Sequence, residues 1–379
     1  MVVLILHALG GIALVLSIAG IAYALLAAAM LARMAQALGP RAAVPVSLLK
    51  PLHGDEPGLE ENLASFLRQD YGAAVQAVFG VQDHADPALE AVERLRRGHP
   101  DADIEVVVGA GPEGFNRKIA NLIQMTARAR HELLVVSDAD MCVPPDYLAR
   151  VAGAAGAPGV GAVTCYYFGQ ARGGFWSRLA AMGISYGFLP NVATGVGLGL
   201  AHPCMGSTIA LRRPVLDEIG GFEAFADVLA DDYEIGRAVR AVGRAVVLPP
   251  FAIAHGCSET SLRELFAHEL RWAVTIRLMD PLGHAGSVVT HPLALALVAT
   301  ALLGGPWYAW PCLAAAGVAR LWLKGKVDRA AGATTGPWQQ MLLRDILSFG
   351  VFGCSLFARR VDWRGSKFHI TANGKLFPA

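Results

Sequence analysis

Apolar runs and amphipathic stretches alternate along residues 45–137. The apolar runs predict strands at 45–51, 74–82, 104–108 and 133–137, and the stretches between them predict helices at 59–69, 87–97 and 118–129. Strands that alternate with helices at this spacing indicate a parallel, doubly wound sheet of the α/β class. We expect the carboxylate-bearing turns after the first, second and fourth strands to converge along one edge of that sheet.

The fourth predicted strand ends at two carboxylates, Asp138 and Asp140, one residue apart. Ligands of open α/β sheets bind beyond the carboxyl ends of the strands, which is where both acids should lie. Positions i and i+2 point the same way in an extended or turning backbone, so the two carboxylates can share one divalent cation or one metal–diphosphate complex. A solvated turn after a strand is the alternative interpretation.

The N-terminal stretch 2–31 contains no acid or base except His7, and Arg33 and Arg41 follow it. A secretory signal would carry its positive charge before a shorter apolar run. The stretch therefore predicts a retained transmembrane helix, with the chain after it in the cytoplasm.

Two apolar segments near the C-terminus, 288–303 and 307–323, are joined by a Gly-Gly-Pro break and predict a hairpin across the bilayer. A third segment, 346–358, is short for a span unless it is extended back through Arg344 to residue 341, and its crossing is left open. The predicted organisation is a transmembrane helix at 1–33, a catalytic domain at 44–280, a membrane region at 285–358 and a basic tail at 359–379.

Composition agrees with a globular domain that carries membrane segments. Hydrophobic residues make up 54% of the 379 residues and charged residues only 17%. The net charge of +1 provides no electrostatic reason to expect a nucleic-acid partner. The six cysteines show no C-x-x-C spacing, which favours reduced packing residues over disulfides or a zinc site.

Spaced blocks from residue 46 onward resemble the motif series of the ceramide glucosyltransferase family, which includes a bacterial branch associated with hopanoid lipids. The blocks are 46–52, 81–87, 116–122, 231–233, 271–272 and the late 363–365. This resemblance implies the A-type nucleotide-sugar glycosyltransferase fold, a doubly wound and mainly parallel sheet, with N- and C-terminal transmembrane helices. It also implies an integral membrane hexosyltransferase with a cytoplasmic catalytic domain, and we expect a bacterial inner membrane.

The implied reaction is inverting transfer of one sugar from a UDP-sugar to a lipid hydroxyl, by default from UDP-glucose to ceramide. The alternative within the family is transfer of N-acetylglucosamine from UDP-GlcNAc to a hopanoid polyol. A processive polysaccharide synthase shares the sheet and the D-x-D motif, but it needs several more helices for a secretion channel. An inactive lipid-binding scaffold would have no need for a catalytic base.

For the nucleotide, the resemblance implies that Asp83 accepts a hydrogen bond from uracil and that Asp86 is the first aspartate of the family series. Capping of the helix that begins near Pro87 is the alternative for Asp86. Lys118 is expected to approach the uridine or the phosphates, and a solvated lysine is its alternative.

For the metal, Asp138 and Asp140 are the candidate ligands of Mg²⁺ or Mn²⁺. Asp138 is also expected to take part in binding the nucleotide-sugar donor. Animal members of the family carry a small residue and then Gly after the first aspartate. Asp140 therefore departs from the pattern of the animal members, and this second carboxylate favours metal dependence in this protein. His255 is either a third ligand or a packing histidine at a strand end, and packing is the favoured interpretation.

For the transfer step, the resemblance implies that Asp232 is the catalytic base, although two acids at a helix start are also ordinary capping. His268, Arg271 and Trp272 lie at i, i+3 and i+4, so they share one helix face. Arg271 can hold the diphosphate and Trp272 can close the acceptor site. His268 departs from the usual Gln or Arg, and an amphipathic helix lying on the membrane is the alternative for the segment.

Overall fold

The structure is a computed structural model that describes residues 1–109, 111, 116–228 and 230–358, together with the backbone of three strands after residue 360. The chain divides into two compact units. We call Gln36–Arg172 with Gly199–Ser258 the sheet unit, and Met1–Ala35, Gly173–Leu198 and Glu259–Ala379 the helical unit.

The helices and strands are numbered in chain order. The helices are α1 (Val2–Gln36), α2 (Leu59–Leu67), α3 (Ala88–Gly98), α4 (Arg117–Arg128), α5 (Tyr147–Ala155), α6 (Phe175–Gly183), α7 (Leu189–Gly197), α8 (Arg213–Glu218), α9 (Asp231–Ala241), α10 (Leu262–Met279), α11 (Pro281–Gly286), α12 (Pro292–Leu302), α13 (Ala309–Ala331) and α14 (Met341–Ser355). The strands are β1 (Val46–Pro51), β2 (Val75–Val81), β3 (Asp103–Val108), β4 (Leu133–Val136), β5 (Met141–Cys142), β6 (Val160–Val163), β7 (Tyr166–Ala171), β8 (Ile209–Arg212), β9 (Ala245–Val247), β10 (Ala252–Cys257), β11 (Val361–Trp363), β12 (Ser366–Ile370) and β13 (Leu376–Pro378).

A seven-stranded sheet in the order β3-β2-β1-β4-β8-β6-β9 forms the centre of the sheet unit. Strands β3, β2, β1 and β4 are parallel, as the alternation of strands and helices predicts. Strand β8 runs antiparallel to both β4 and β6, so the sheet is mixed. The α/β fold with a mainly parallel sheet is confirmed, and the antiparallel strand is an addition that the sequence pattern did not predict.

Successive residues of the central strands pack on opposite faces of the sheet, as the period of two requires. Leu49 belongs to the hydrophobic core that contains Ile119 of α4. Its neighbour Leu48 belongs to the core that contains Val151 of α5. Helices therefore cover both faces, which leaves the strand ends as the place for polar side chains.

The turns after β1, β2 and β4 meet at one edge of the sheet, as predicted. Asp86, after β2, accepts a hydrogen bond from the Gly54 N–H, after β1, at 2.9 Å. Lys50, at the end of β1, donates to the backbone carbonyl of Asp138, after β4, at 2.7 Å. A smaller sheet in the order β5-β10-β7 continues directly from the β4 turn.

Within the helical unit, α1 packs closely against the segment that leads into α12. Ala13 of α1 shares a hydrophobic core with Leu295 and Ala299 of α12. The Ser17 hydroxyl donates to the Pro292 carbonyl at 2.9 Å. A Cβ placed on Gly20 would lie 2.3 Å from the carbonyl oxygen of residue 289, so only glycine permits this approach. Small residues at helix contacts are typical of membrane proteins.

By length and composition, α1 is the one helix in the described ranges that is long and apolar enough to cross a membrane. The bent pair Pro281–Thr290 and Pro292–Leu302, with an angle of 71°, would make a second if it is counted as one span. The predicted break at 304–306 is present, and Gly304 and Gly305 both have positive φ. The C-terminal hairpin and the predicted domain limits stay predictions.

The predicted basic tail, 359–379, contains the antiparallel strands β11, β12 and β13. Arg359, Arg360 and Arg364 lie outside the described residues. Two positions of the late 363–365 block, 364 and 365, do so as well.

Helix α14 places two opposite charges side by side, and each has a partner on a different helix. Arg344 binds Glu269 of α10 through two bonds of 2.8 and 2.6 Å. Asp345 binds Arg320 of α13 through two bonds of 2.8 and 2.7 Å. The Arg320 and Asp345 side chains are only 8% and 6% exposed, so these charges in an apolar segment are compensated inside the helical unit.

We expect Arg320→Leu to destabilise the protein by about 3 kcal/mol or more, because it leaves the Asp345 carboxylate buried without its partner. The double variant Arg320→Leu/Asp345→Leu should recover most of that loss, and thermal unfolding in detergent measures both. Arg212→Leu, which breaks an exposed ion pair with Glu132, is the control and should change stability by less than about 1 kcal/mol. Equal losses in the single and double variants would contradict the role of this ion pair.

Candidate active site

Hydrogen bonds fix the turn between β4 and β5, which carries Asp138 and Asp140. The Asp138 N–H donates to the Gly206 carbonyl at 3.2 Å, and the Asp138 carbonyl accepts from Lys50 Nζ at 2.7 Å. The carbonyl of the next residue accepts from Asn62 Nδ2 at 3.2 Å. The two carboxyl side chains are 35% and 32% exposed, so a ligand can reach both.

Lys118 brings carboxylates from two other elements together. Its Nζ lies 2.7 Å from Asp138 Oδ1 and 3.3 Å from Asp231 Oδ2. Asn116 sets the start of α4, because its side-chain oxygen accepts from the N–H groups of Lys118 and Ile119. The Asn116 amide nitrogen also donates to Asp231 Oδ1 at 3.2 Å, so one side chain places both the lysine and the aspartate.

The electrostatics of this cluster are dominated by burial and by Lys118. Burial alone would lower the pKa of Lys118, but the charges of Asp138, Asp231 and Asp232 outweigh burial and raise it above its ordinary value. Burial raises the pKa of Asp138, and Lys118 counteracts part of that shift. Lys118 therefore stays cationic and reduces the repulsion among the carboxylates.

Asp232 lies in the first turn of α9 and is bound by two backbone amides. Its Oδ2 accepts from the Gly206 N–H at 2.9 Å, and its Oδ1 accepts from the Tyr233 N–H at 2.8 Å. Burial, together with the charge of Asp231, raises the pKa of Asp232 to about 6. The carboxyl group is thus ionised at neutral pH and more basic than an ordinary aspartate.

The backbone of Gly206 connects the two halves of the cluster. Its carbonyl accepts from the Asp138 N–H and its N–H donates to the Asp232 carboxylate. A Cβ on Gly206 would lie 2.5 Å from Asp138 Oδ2 and 3.0 Å from Lys118 Nζ. A side chain at this position would therefore displace the Asp138 carboxylate or the Lys118 ammonium group.

Asp140 contacts His255, at the C-terminal part of β10. Asp140 Oδ2 lies 3.2 Å from His255 Nε2, and the His255 ring stacks on Tyr167 with centroids 5.6 Å apart. Burial alone would lower the pKa of His255, but the charge of Asp140 raises it well above its ordinary value. His255 is buried and stacked at a strand end, as the packing interpretation predicts, and it also contacts the second carboxylate of the motif.

Asp138 and Asp140 fit a divalent cation by the chemistry of their donor atoms. Carboxylate oxygens are the ligands that Mg²⁺ and Mn²⁺ prefer. Among the described residues, no group of three or more His, Cys, Asp or Glu side chains is arranged to hold a metal ion. Two protein carboxylates are nevertheless enough for Mg²⁺, which commonly takes its other ligands from substrate phosphates and water.

Asp83 and Asp86 follow β2, close to the start of α4. Asp83 is exposed, and one of its side-chain oxygens accepts from the N–H of residue 85. Asp86 is buried, and its Oδ1 accepts from the N–H groups of Gly54 and Ala88, both at 2.9 Å. These contacts favour the helix-capping alternative for Asp86 over direct contact with a ligand. Gln82 donates to the backbone carbonyl before Lys118, which places this turn beside the cluster.

Arg271 and Trp272 belong to α10 of the helical unit, whereas the carboxylates belong to the sheet unit. The His268 and Trp272 rings contact each other with centroids 4.3 Å apart, which agrees with the predicted shared face. His268 Nδ1 also lies 2.8 Å from a carboxylate oxygen of Glu259. Arg271 and Trp272 are both half-buried.

Two residues of the cluster were missed from the sequence, Lys50 and Gly206. Lys50 is 1% exposed, and burial lowers its pKa to about 7 against the opposing charges of Asp140 and Asp138. The feature that could have identified Lys50 from the sequence is its position, a lysine at the end of a mostly apolar strand. Gly206 gave no signal, because nothing distinguishes it from the other 41 glycines before the chain is folded.

Comparisons with known proteins agree on the type of fold. A mannosyltransferase of Pyrobaculum calidifontis, solved in complex with GDP-Man and Mn²⁺, superposes with a TM-score of 0.56 at 22% identity and covers 92% of this chain and 99% of its own. At this identity the likeness shows the fold, which is the A-type fold of nucleotide-sugar glycosyltransferases.

Two of the curated relatives are from Caenorhabditis elegans. Ceramide glucosyltransferase 1 is 26% identical over 230 residues, which are 60% of this chain and 48% of the relative. Ceramide glucosyltransferase 3 is 25% identical over 360 residues, 88% of this chain and 74% of the relative. The first match thus spans about half the length of the curated relative. The sequence model of glycosyl transferase family 21 matches residues 12–376, nearly the whole chain, and the protein therefore belongs to glycosyl transferase family 21.

Proposed function

We propose that this protein transfers one sugar from a UDP-sugar to a hydroxyl group of a membrane lipid, with UDP-glucose and ceramide as the leading pair of substrates. The observation that carries the proposal is the cluster in which the backbone of Gly206 joins Asp138 to Asp232 around Lys118. Such a cluster combines a site for a diphosphate with a base, which are the two needs of sugar transfer. The names of the two nematode relatives support ceramide as the acceptor.

On the donor side, Asp138 and Asp140 are the residues that would hold Mg²⁺ or Mn²⁺. A bound cation would neutralise negative charge on the diphosphate leaving group. Lys118 contributes a second positive charge beside Asp138, where it can bind a phosphate oxygen as a point charge. The Mn²⁺ in the complex of the Pyrobaculum mannosyltransferase supports this choice of metal.

On the acceptor side, Asp232 acts as the base that removes the proton of the lipid hydroxyl. Its Oδ1 and Oδ2 each accept one backbone N–H, which fixes the orientation of the carboxylate. Its raised pKa makes it a better proton acceptor than a solvated aspartate while leaving it ionised near pH 7. A single displacement with this base opposite the leaving group inverts the anomeric configuration.

The remaining roles follow the family resemblance. Asp83 accepts a hydrogen bond from uracil. For Asp86, which the resemblance also places on the nucleotide side, the bonds from the Gly54 and Ala88 N–H groups support a role in holding the turn that carries Asp83. Arg271 binds the diphosphate through bidentate hydrogen bonds from its guanidinium group, and Trp272 closes the acceptor site.

The lipid acceptor fits a protein whose N-terminal helix can lie in a membrane. We propose an integral membrane enzyme of a bacterial inner membrane with its catalytic domain in the cytoplasm, because Arg33 and Arg41 follow the apolar helix.

Identification of the lipid product tests the proposal. Protein purified in detergent is given UDP-glucose or UDP-GlcNAc, each with ceramide or a hopanoid polyol, in the presence of Mg²⁺ or Mn²⁺, and the lipids are analysed by mass spectrometry. We expect glucosylated ceramide, and Asp232→Asn protein is the negative control. If the product is instead an N-acetylglucosaminyl hopanoid, the reaction type is still sugar transfer to a lipid, but UDP-GlcNAc and the hopanoid replace UDP-glucose and ceramide as the substrates. Absence of product from every pairing would contradict the proposal.

Asp232→Asn should reduce turnover by several orders of magnitude, because the amide cannot accept the proton, while UDP affinity stays close to that of the wild type. In the wild type, kcat/KM should fall about tenfold per pH unit below about pH 6 as Asp232 becomes protonated. Steady-state kinetics and calorimetric UDP binding measure these effects. Near-normal turnover of the variant would show that Asp232 is not the catalytic base.

The same variant provides a test of the raised pKa through stability. Because the pKa of Asp232 is higher in the folded state than in the unfolded chain, the folded wild type binds an extra proton between about pH 4 and pH 6 and loses stability as the pH rises across that window. The stability of Asp232→Asn relative to the wild type should therefore increase by on the order of 1–3 kcal/mol between pH 4 and pH 7. Asp101→Asn, at an exposed carboxylate, should show no such trend.

A further inference from the structure

Lys50 is a fully buried lysine beside the carboxylates of the cluster. It ends β1, and its residue surface is 1% exposed. In the described part of the chain, no carboxylate forms an ion pair with its ammonium group. Transfer of an ammonium group out of water costs several kcal/mol unless the surroundings compensate it, so such a residue needs a specific reason.

The contacts of Lys50 point to the D-x-D turn. Its Nζ donates to the Asp138 carbonyl at 2.7 Å and more weakly to Ser137 Oγ at 3.4 Å. The same Nζ lies 3.7 Å from the ring centroid of Phe66, which compensates the charge from the other side. The ammonium group is therefore held between an aromatic ring and the backbone of the first motif residue.

Lys118 and His255 contact the carboxylate side chains of this turn, whereas two neutral groups, Gly206 and Asn62, bind its backbone. The Asp138 N–H donates to the Gly206 carbonyl, and the carbonyl after it accepts from Asn62. A charged donor forms a stronger hydrogen bond than a neutral one, especially where water is excluded. Lys50 makes the shortest of these contacts with the backbone of the turn, at 2.7 Å, against 3.2 Å for the contacts of Gly206 and Asn62.

We propose that Lys50 is a positioning residue that fixes the Asp138–Asp140 turn, so that both carboxylates face the donor diphosphate and its cation. This inference rests on the proposed function, because it assigns those carboxylates to the donor side. Lys50 does not touch substrate, since it lies behind the turn and is closed off from solvent. Its effect is transmitted through the backbone carbonyl of Asp138.

The test compares Lys50→Met with the wild type in binding experiments that need no turnover. Methionine has a similar length and fills the same space without a charge or a donor. We expect Lys50→Met to bind Mn²⁺, measured by electron paramagnetic resonance, about tenfold more weakly than the wild type. UDP binding in the presence of Mn²⁺, measured by calorimetry, should weaken to a similar extent. Asp140→Ala is the reference for loss of a proposed ligand.

Lys326→Met is the matched control, because Lys326 also lies over an aromatic ring, 5.0 Å from the centroid of Trp322 in the helical unit. It should leave Mn²⁺ and UDP binding unchanged. The thermal stability of Lys50→Met should stay near that of the wild type, because removal of a buried charge offsets the lost hydrogen bond. Lys50→Arg, which keeps a charged donor, should recover part of the binding.

The outcomes separate the two proposals. If the wild type binds neither Mn²⁺ nor UDP, the proposed function fails and Lys50 has no site to position. If the wild type binds both and Lys50→Met binds them equally well, the inference about Lys50 alone is overturned. Failure of both Lys50→Met and Lys50→Arg to fold would also overturn it, because the lysine would then be needed for the fold itself.

Discussion

The attraction between one ammonium group and the carboxylates around it is the interaction on which the sheet-unit site depends. Lys118 lies within 3.3 Å of oxygens from Asp138 and Asp231, which belong to the end of β4 and the start of α9. Without a cation between them, like charges at this separation would repel strongly in a buried setting. The Asn116 cap places Lys118 at the first turn of α4, so a local feature of helix formation determines where the cluster assembles.

The backbone of Gly206 extends this constraint to the proposed base. Its two polar groups are bound to opposite sides of the cluster, and its missing Cβ leaves room for the Asp138 carboxylate. A displacement of Asp138, on the proposed diphosphate side, would therefore be transmitted to Asp232 through the backbone of a single residue. Proton removal and departure of the diphosphate are coupled events in a single displacement, so a rigid link between the two sides has a mechanistic use.

Much of the fold could be predicted, because it follows local patterns. The apolar runs before Pro51, Gln82 and Ser137 are long enough to indicate strands, and carboxylates follow each of them, directly so after Gln82 and Ser137. Strand β8 was missed because its four residues, Ile209–Arg212, are too few to show a clear periodicity and gain their place by pairing with β4. Gly206 and Lys50 could not be assigned for a similar reason, since their roles depend on neighbours that are distant in sequence.

The helical unit illustrates the same limit for charges in apolar segments. Arg344 made the third C-terminal segment difficult to interpret as a span, because a charge on an isolated apolar helix is costly. In the folded chain Arg344 and Asp345 each have a bidentate partner on another helix. Tertiary contacts thus offset the free-energy cost of these buried charges, and such contacts cannot be predicted from the hydropathy of the segment alone.

The most direct test of the central claim, that the backbone of Gly206 joins the proposed donor side to the proposed base, is a kinetic and binding study of Gly206→Ala. The added methyl group must displace Asp138 Oδ2, which would lie 2.5 Å away. We predict that UDP affinity in Mn²⁺ and kcat both fall by about tenfold or more, since small misplacements at a reacting centre are costly. Gly98→Ala, at a helix position with no atom near the new Cβ, should behave as the wild type. Wild-type UDP binding and turnover in Gly206→Ala would contradict the claim.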